Sequence, residues 1–526
     1  MGSTKKCDRR FDSVWAPKFE KSQTVAETGG FFRWVQSGVL VLFCLASGAS
    51  ADQTVSGDER LIARVYDSGI VSNHDTFNGM STASDGRVYY VLCSESADVG
   101  GQMFCFDPAT GRIRHLGDLT EACGEKGLKT IPQGKSHVPF VESNGRLYFS
   151  THLAYYRPGS ANNKNNKEQI APPPPGHKPY PGGHFLSYDM TSGKFQRLAS
   201  ASHGEGIITM AMDAKRGRLY GLTWPHGYFL RYDLAKNDLK QFGPVAGQGE
   251  VGEGVDFCPV CRVIIVDPRD GSAYLTTVAG DILRYQVDRD TLEKMSGVDL
   301  RKDYFGAMDI TKPGQMGYNW RQAVWHPTEN VVYALHGNSG YVFRFDPRAG
   351  TVELLDRMTS AASKRSGMHD RYRYGYLGFT LGPDLRTLYY LTGGPILPGE
   401  QPPANPELAE EKQENLHLVT YDLRTNQCVD HGSVFLPDGQ RPVCVHSIAV
   451  TSDGTVYAIA RMFRHGHWDR DLISIPPCVP PSKASRVIAA RDVECQRATE
   501  NSAQTQTSSN RQPTKKPVMP LIRHVR

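Results

Sequence analysis

Two histidines, His137 and His152, lie fifteen residues apart in "SHVPFVESNGRLYFSTH", on either side of a tight Ser-Asn-Gly turn. The same spacing separates His446 from Arg461 near the other end of the chain. A neutral imidazole exchanges a proton near neutral pH, and a guanidinium grips a carboxylate through two parallel bonds. Imidazoles, a cation and a phenol gathered on one surface would suit removal of a proton beside a carboxylate. That chemistry needs a cation to neutralise the carboxylate, a base for the proton and an acid for the leaving oxygen. Whether these residues meet depends on the elements that carry them.

Internal repetition defines those elements. An octet with Tyr at its fourth position recurs seven times: "GRVYYVLC", "GRLYFSTH", "GRLYGLTW", "GSAYLTTV", "NVVYALHG", "RTLYYLTG" and "GTVYAIAR". Its tyrosines are Tyr89, Tyr148, Tyr220, Tyr274, Tyr333, Tyr389 and Tyr457, spaced 54 to 72 residues apart. An apolar strand precedes each octet. After the first six comes an alternating strand, a turn rich in Asp, Asn and Gly, and another strand, as in "FLRYDLAKNDLKQFG". The unit is four antiparallel strands, a to d, and no single unit can bury both its faces. Radial packing of such sheets solves that problem, so the chain is expected to be all-β, a seven-bladed β-propeller. The seventh unit has no evident strand d, whereas "RLIARVYDSG" before the first unit resembles an orphan one. The N-terminal strand should therefore complete the last blade. The strict repetition of the tyrosines marks a packing position rather than a chemical one.

In a propeller the start of strand a and the end of strand b lie on one face. Counting from the octets, the starts of a fall at Asn78, His137, Thr209, Val263, Gln322, Gly378 and His446. The ends of b fall at Cys93, His152, Trp224, Val278, Gly337, Gly393 and Arg461. Variation in loop length lets Arg262 and Arg321 replace their neighbours. His137 is thus set opposite His152 in blade 2, and His446 opposite Arg461 in blade 7, with Asn78 between the two pairs. Tyr155, Tyr156 and Arg157 follow strand b of blade 2 and would overhang the same mouth. A long insertion follows there, "RPGSANNKNNKEQIAPPPPGHKPYPGGH", whose second half is stiffened by four prolines. Weaker candidates are "GMHDRYRYGY" at 367–376, His203 beside Glu205, and His465 with His467.

These residues suit β-elimination on a uronate-containing glycan. His137 or His152 takes the C5 proton, with His446 beside them, and Tyr155 protonates the leaving oxygen. Arg262, Arg321 or Arg461 engages the carboxylate, and Asn78 and Trp224 line the substrate path. No cofactor is required by this scheme. An alternative uses His137, His152 and His446 as ligands of a divalent metal such as Mn or Zn. The propeller over residues 60 to 478 and the His137/His152 pairing resemble exported propeller-type polysaccharide lyases, notably those acting on ulvan and oligogalacturonate. That resemblance implies a polysaccharide lyase with its site at the funnel mouth. Thr209 and Trp224 stand in blade 3 where the family's further Tyr and Arg would be sought. The competing reading is a non-catalytic propeller that binds a glycan or another protein, since this fold hosts unrelated functions. A metal-dependent lactonase ranks last, because the mouth positions are nearly free of carboxylates.

The ends of the chain read differently from its body. Residues 1–51 carry seven Lys/Arg before or around an apolar run and end in Ala49-Ser50-Ala51, the pattern of a signal peptide with a long basic lead. The run holds about a dozen apolar residues, too few to span a bilayer comfortably. An exported protein is expected, periplasmic or extracellular, with no membrane span after cleavage. The propeller should occupy 52–478, and residues 479–526 read as a disordered basic tail. Of the net charge of +5, the two ends carry enough Lys/Arg to leave about −4 for the body. With no basic stripe in the folded part, nucleic acid is not an expected partner. A glycan or other small ligand is, and a monomer is expected. Nine cysteines would remain after cleavage, an odd number, and Cys258 and Cys261 form a lone CxxC without the His of a haem site.

Overall fold

In six of the seven octets the first residue sits where the chain turns with positive φ, and in the sixth Leu385, just before Arg386, takes that place with φ 53°. Gly86, Gly145, Gly217, Gly271 and Gly454 have φ of 76°, 71°, 63°, 81° and 87°, and Asn330 has 60°. Glycine and asparagine tolerate this left-handed conformation best. Each therefore marks the hairpin between strands a and b of one blade. In the computed structural model the described residues are 60–479, apart from 71–72, 74–75, 159–167, 171, 253–255, 306–315, 338, 361–377, 396–413, 443 and 465–466. The expected signal segment and the tail beyond residue 479 lie outside them, as does all of 367–376.

Seven antiparallel sheets follow in chain order and close into a ring, a seven-bladed β-propeller. Blade 2 runs Val141–Ser143, Arg146–Ser150, His184–Asp189, Phe195–Ser200. Blade 3 runs Gly206–Asp213, Arg218–Trp224, Tyr228–Asp233, Asp238–Pro244. Blade 5 begins with Trp320–His326, and blade 7 contains Val456–Arg464 and His467–Ile475. All seven octet tyrosines are buried, none more than 8% exposed. They pack between neighbouring blades, and the apolar clusters each draw on two to four consecutive blades. Burial of these interblade faces is what holds the ring together.

The N-terminal strand closes the ring as expected and does more. Arg64–Val65 pairs antiparallel with blade 7, Arg64 opposite Ser474 and Val65 opposite Ile473. Just before it, Arg60–Ile62 pairs in parallel with strand d of blade 6. One segment thus straddles two blades. Ser68 continues the clasp: its backbone N–H and its hydroxyl both donate to the Asp471 carboxylate, and its Oγ lies 2.7 Å from Tyr90 Oη in blade 1.

Burial raises the Asp471 carboxyl to about 6. The folded state therefore holds a proton there that the unfolded chain releases near pH 4, so this site's contribution falls as pH rises from about 4 to about 6. The difference is roughly 3 kcal/mol at most. Thermal unfolding at pH 5 and pH 7.5 checks it. Asp471→Asn is expected to abolish the wild-type loss of stability that this carboxyl contributes across that interval.

Candidate functional site

Strand a of blade 2 is interrupted, and the interruption forms the site. Val141 pairs with Tyr148 in the regular hairpin, but closer to the mouth a separate short pair takes over, Gln133–Lys135 with His152–Leu153. There Lys135, not His137, is the register partner of His152. His137 lies in the break between the two stretches, and a break of this kind re-aims a side chain. Its ring meets that of His152 edge-on, with centroids 4.8 Å apart. The expected side-by-side placement is found, reached by irregular backbone rather than by a continuous ladder.

The two imidazoles belong to a longer aromatic series. Phe77 of blade 1 stacks on His137 at 5.0 Å and on His446 at 4.8 Å, with interplanar angles of 11° and 15°. On the other side His152 meets Trp224 edge-on at 5.5 Å. Blades 7, 1, 2 and 3 are thus joined by ring contacts across the funnel mouth. Phe77 immediately precedes Asn78 and Lys135 stands two residues before His137, yet the octet ruler reached neither. Only the position next to a ruler residue pointed to them.

Lys135 is buried, with its ammonium 2.6 Å from Glu95 Oε1 and 5.6 Å from the Phe77 ring centre. Burial, then the His152 ring and the cations Lys135, Arg262 and Arg321, holds His137 well below the ordinary imidazole value. Burial, with Lys135 and Arg262, does the same to His152. Both rings are therefore neutral at pH 7. His152 is fully buried, whereas His137 is half-buried with a buried Nε2 that has no hydrogen-bond partner. An unsatisfied buried nitrogen in a polar cleft is unusual enough to mark a place for a ligand or a water.

The remaining expected residues divide. Asn78 joins three blades. Its N–H donates to the His446 carbonyl at 2.8 Å, and its side-chain oxygen accepts from Gln322 of blade 5 at 3.3 Å. That last bond crosses the top of the central channel, a cavity of about 300 Å³. Arg321, beside Gln322, is buried and close enough to act on His137. Arg262 is buried and bound to Glu250 at 2.7 Å, and the same carboxylate accepts the Trp224 indole N–H at 2.8 Å. Trp224 is only 1% exposed, so it packs behind His152 instead of offering a face to substrate. Tyr155 packs partly buried against the apolar cluster that includes Leu153 and Trp224. Tyr156–Pro158 and Glu168–Ile170 form a two-stranded ribbon at the start of the blade 2 insertion.

Blade 7 repeats the blade 2 register. Arg461 is opposite Cys444, two residues before His446, just as His152 is opposite Lys135, two residues before His137. The ladder there breaks between Cys444–Val445 and Ala449–Val450, and a uniform count cannot follow it. His446 stacks on Phe77 and does not converge with His137 and His152. Among the described residues no three His, Cys, Asp or Glu side chains converge as metal ligands, so the three histidines do not fit a divalent ion. His203 is exposed and does not pair with Glu205, which binds His226. His465 lies outside the described residues. Cys258 and Cys261 are not joined to each other, and Cys261 lies 3.3 Å from Thr276 Oγ1.

No protein-family model and no curated protein matches the chain. Solved structures similar to it include an oligogalacturonate lyase in complex with manganese, 10% identical over 81% of this chain and 98% of that one, with a TM-score of 0.43. A virginiamycin B lyase from Staphylococcus aureus is 10% identical over 79% and 98%, at 0.44. A chain of a mitotic checkpoint complex is 11% identical over 83% and 99%, at 0.43. These likenesses span unrelated activities and carry no argument about the chemistry of this chain.

Proposed function

We propose that this protein is an exported, monomeric propeller that cleaves uronate-containing glycans by β-elimination at the mouth of its funnel. The observation that carries this reading is His137: a neutral imidazole with an unpartnered buried Nε2, ringed by Lys135, Arg262 and Arg321. A uronate carboxylate brought to those cations loses charge, which acidifies the neighbouring C5–H. A neutral ring beside it is then in the right state to take the proton. Lys135, Arg262 and Arg321 are the candidate carboxylate partners, and Arg262 and Lys135 also hold Glu250 and Glu95.

Those same ion pairs, with the complete burial of His152, favour a second reading in which the mouth binds an acidic glycan without cleaving it. Incubation of the full chain with polygalacturonate and with ulvan separates the two. The first reading expects ultraviolet absorbance from the unsaturated product. Binding without any product, unaffected by His137→Gln, would leave only the second. Arg321→Met is expected to weaken binding in either case, by about tenfold or more, as loss of a charge-assisted pair does.

A further inference from the structure

Buried carboxylates hold histidines at three places among the described residues, and one of the three differs from the others. Glu125 with His184 and Asp430 with His417 are closed pairs, each side chain 5% exposed or less. In both, the second ring nitrogen is also taken, by Ser200 at 2.7 Å and by Ser433 at 3.0 Å. These pairs pin strands together and offer nothing to solvent. The Glu205–His226 pair is asymmetric: the carboxylate is 2% exposed and the imidazole 41%.

Its geometry is fully specified. Glu205 Oε1 lies 2.5 Å from His226 Nδ1, while Oε2 accepts the His226 backbone N–H at 3.1 Å and the Thr223 hydroxyl at 2.9 Å. The turn carrying His226 is fixed by the Glu250 N–H on the Pro225 carbonyl at 2.8 Å and the Val245 N–H on the Gly227 carbonyl at 3.0 Å. The imidazole leans on Tyr228, with centroids 5.7 Å apart. Its Nε2 makes no hydrogen bond among the described residues, and the ring is half-exposed at the mouth end of blade 3. A buried carboxylate that fixes the tautomer of a half-exposed ring, leaving the other nitrogen open, is the arrangement that acid–base catalysis uses.

The location places the pair beside His152. Glu205 is followed by Gly206, whose backbone lies directly against the His152 ring, and His226 comes two residues after Trp224, which also touches that ring. We propose that Glu205 and His226 form an acid–base dyad of the funnel mouth, with His226 Nε2 exchanging a proton with the ligand and Glu205 as its positioning residue. This rests on the β-elimination reading and completes it, because Tyr155 packs into an apolar cluster and is poorly presented as the acid. In the step, the C5–H bond breaks toward His137 Nε2 and its electron pair becomes the C4=C5 double bond. The C4–O bond breaks, and the leaving oxygen takes the Nε2 proton of a His226 imidazolium, which had gained that proton from solvent. His226 then returns to the neutral Nδ1–H tautomer held by Glu205.

Two measurements on the full chain test the dyad. Nitrogen-15 NMR of the ligand-free protein is expected to show neutral His226 as the Nδ1–H tautomer, shifting toward Nε2–H in Glu205→Gln. A wild-type ring that is mainly Nε2–H overturns the dyad whether or not the protein cleaves any glycan. With polygalacturonate or ulvan, His226→Gln is expected to lower kcat by about 10²-fold with KM little changed. Glu205→Gln should lower it by about 10- to 100-fold, as loss of an orienting partner does. A His226→Gln rate within about threefold of wild type overturns the proposal and leaves the β-elimination reading standing. An inactive wild type with the Nδ1–H tautomer in place removes that reading and with it the acid role of His226, leaving only the positioning contact with Glu205.

Discussion

Replacing His137 with Gln is expected to lower kcat for uronate cleavage by about 10²- to 10⁴-fold, the range that a positioned base contributes. KM should stay within about threefold, because the carboxylate is held by cations that the substitution leaves in place. The pH profile gives the more specific signature. Burial and the nearby cations depress His137, so its acid limb lies well below pH 6.5 and the rate is lost only as pH falls through it. Lys135→Met keeps the buried volume and removes one of those cations, so it should move that limb to higher pH. The shift is partial, since burial is the largest cause and remains. A limb that moves down, or a His137→Gln enzyme of normal rate, would exclude His137 as the base.

The same depression has a consequence for stability. Below about pH 6.5 the unfolded chain binds protons that folded His137 and His152 refuse. Stability is therefore present above that pH and declines as pH falls, by up to about 1.4 kcal/mol per pH unit for each ring. His336, buried and held to about 3 by desolvation, adds a third such group. His137→Gln should flatten this decline measurably, and thermal unfolding between pH 5 and pH 7 reads it independently of any substrate.

The fold was legible because one local pattern recurs with its turn chemistry intact. Glycine or asparagine at the octet's first position requires the left-handed turn, and the fourth-position tyrosine requires an interblade contact. Both are properties of short segments, so a repeated octet carries them. The His137–His152 contact was legible for the same reason, since a hairpin of known turn brings its arms back to one face. What escaped depends on breaks in the ladder and on packing between blades. The interruption after Lys135 makes that lysine the partner of His152, and the break after Val445 likewise makes Cys444 the partner of Arg461. No spacing along the chain encodes the stacking of Phe77 on two histidines from different blades, or the choice of His226 over His203 by Glu205. His203 is nearer in sequence, but the cross-strand register of blade 3 places Gly206 opposite Trp224 and so brings the next turn to Glu205.

Gly206→Ala tests whether the packing around His152 sets the activity. A Cβ at this position would lie 1.8 Å from His152 Nδ1 and 2.5 Å from Cε1, far inside contact distance. The ring is fully buried, so it cannot swing clear as an exposed side chain would. Gly206 does not have the positive φ that would strain alanine, and the whole effect is therefore steric. Overpacking of this kind costs about 1–3 kcal/mol, and the least-resisted displacement carries the His152 ring toward His137. Gly145→Ala provides the contrast. It sits in the blade 2 hairpin at φ 71° with nothing within 4 Å of an added Cβ, so it costs about 1–2 kcal/mol through the backbone alone. Both variants should melt lower than wild type by similar amounts. Only Gly206→Ala should also lose uronate cleavage, by about tenfold or more, because a displacement of about 1 Å at a reacting group has effects of that order or larger. Equal activity in the two variants would show that His152 supports the fold and leaves the chemistry to its neighbours.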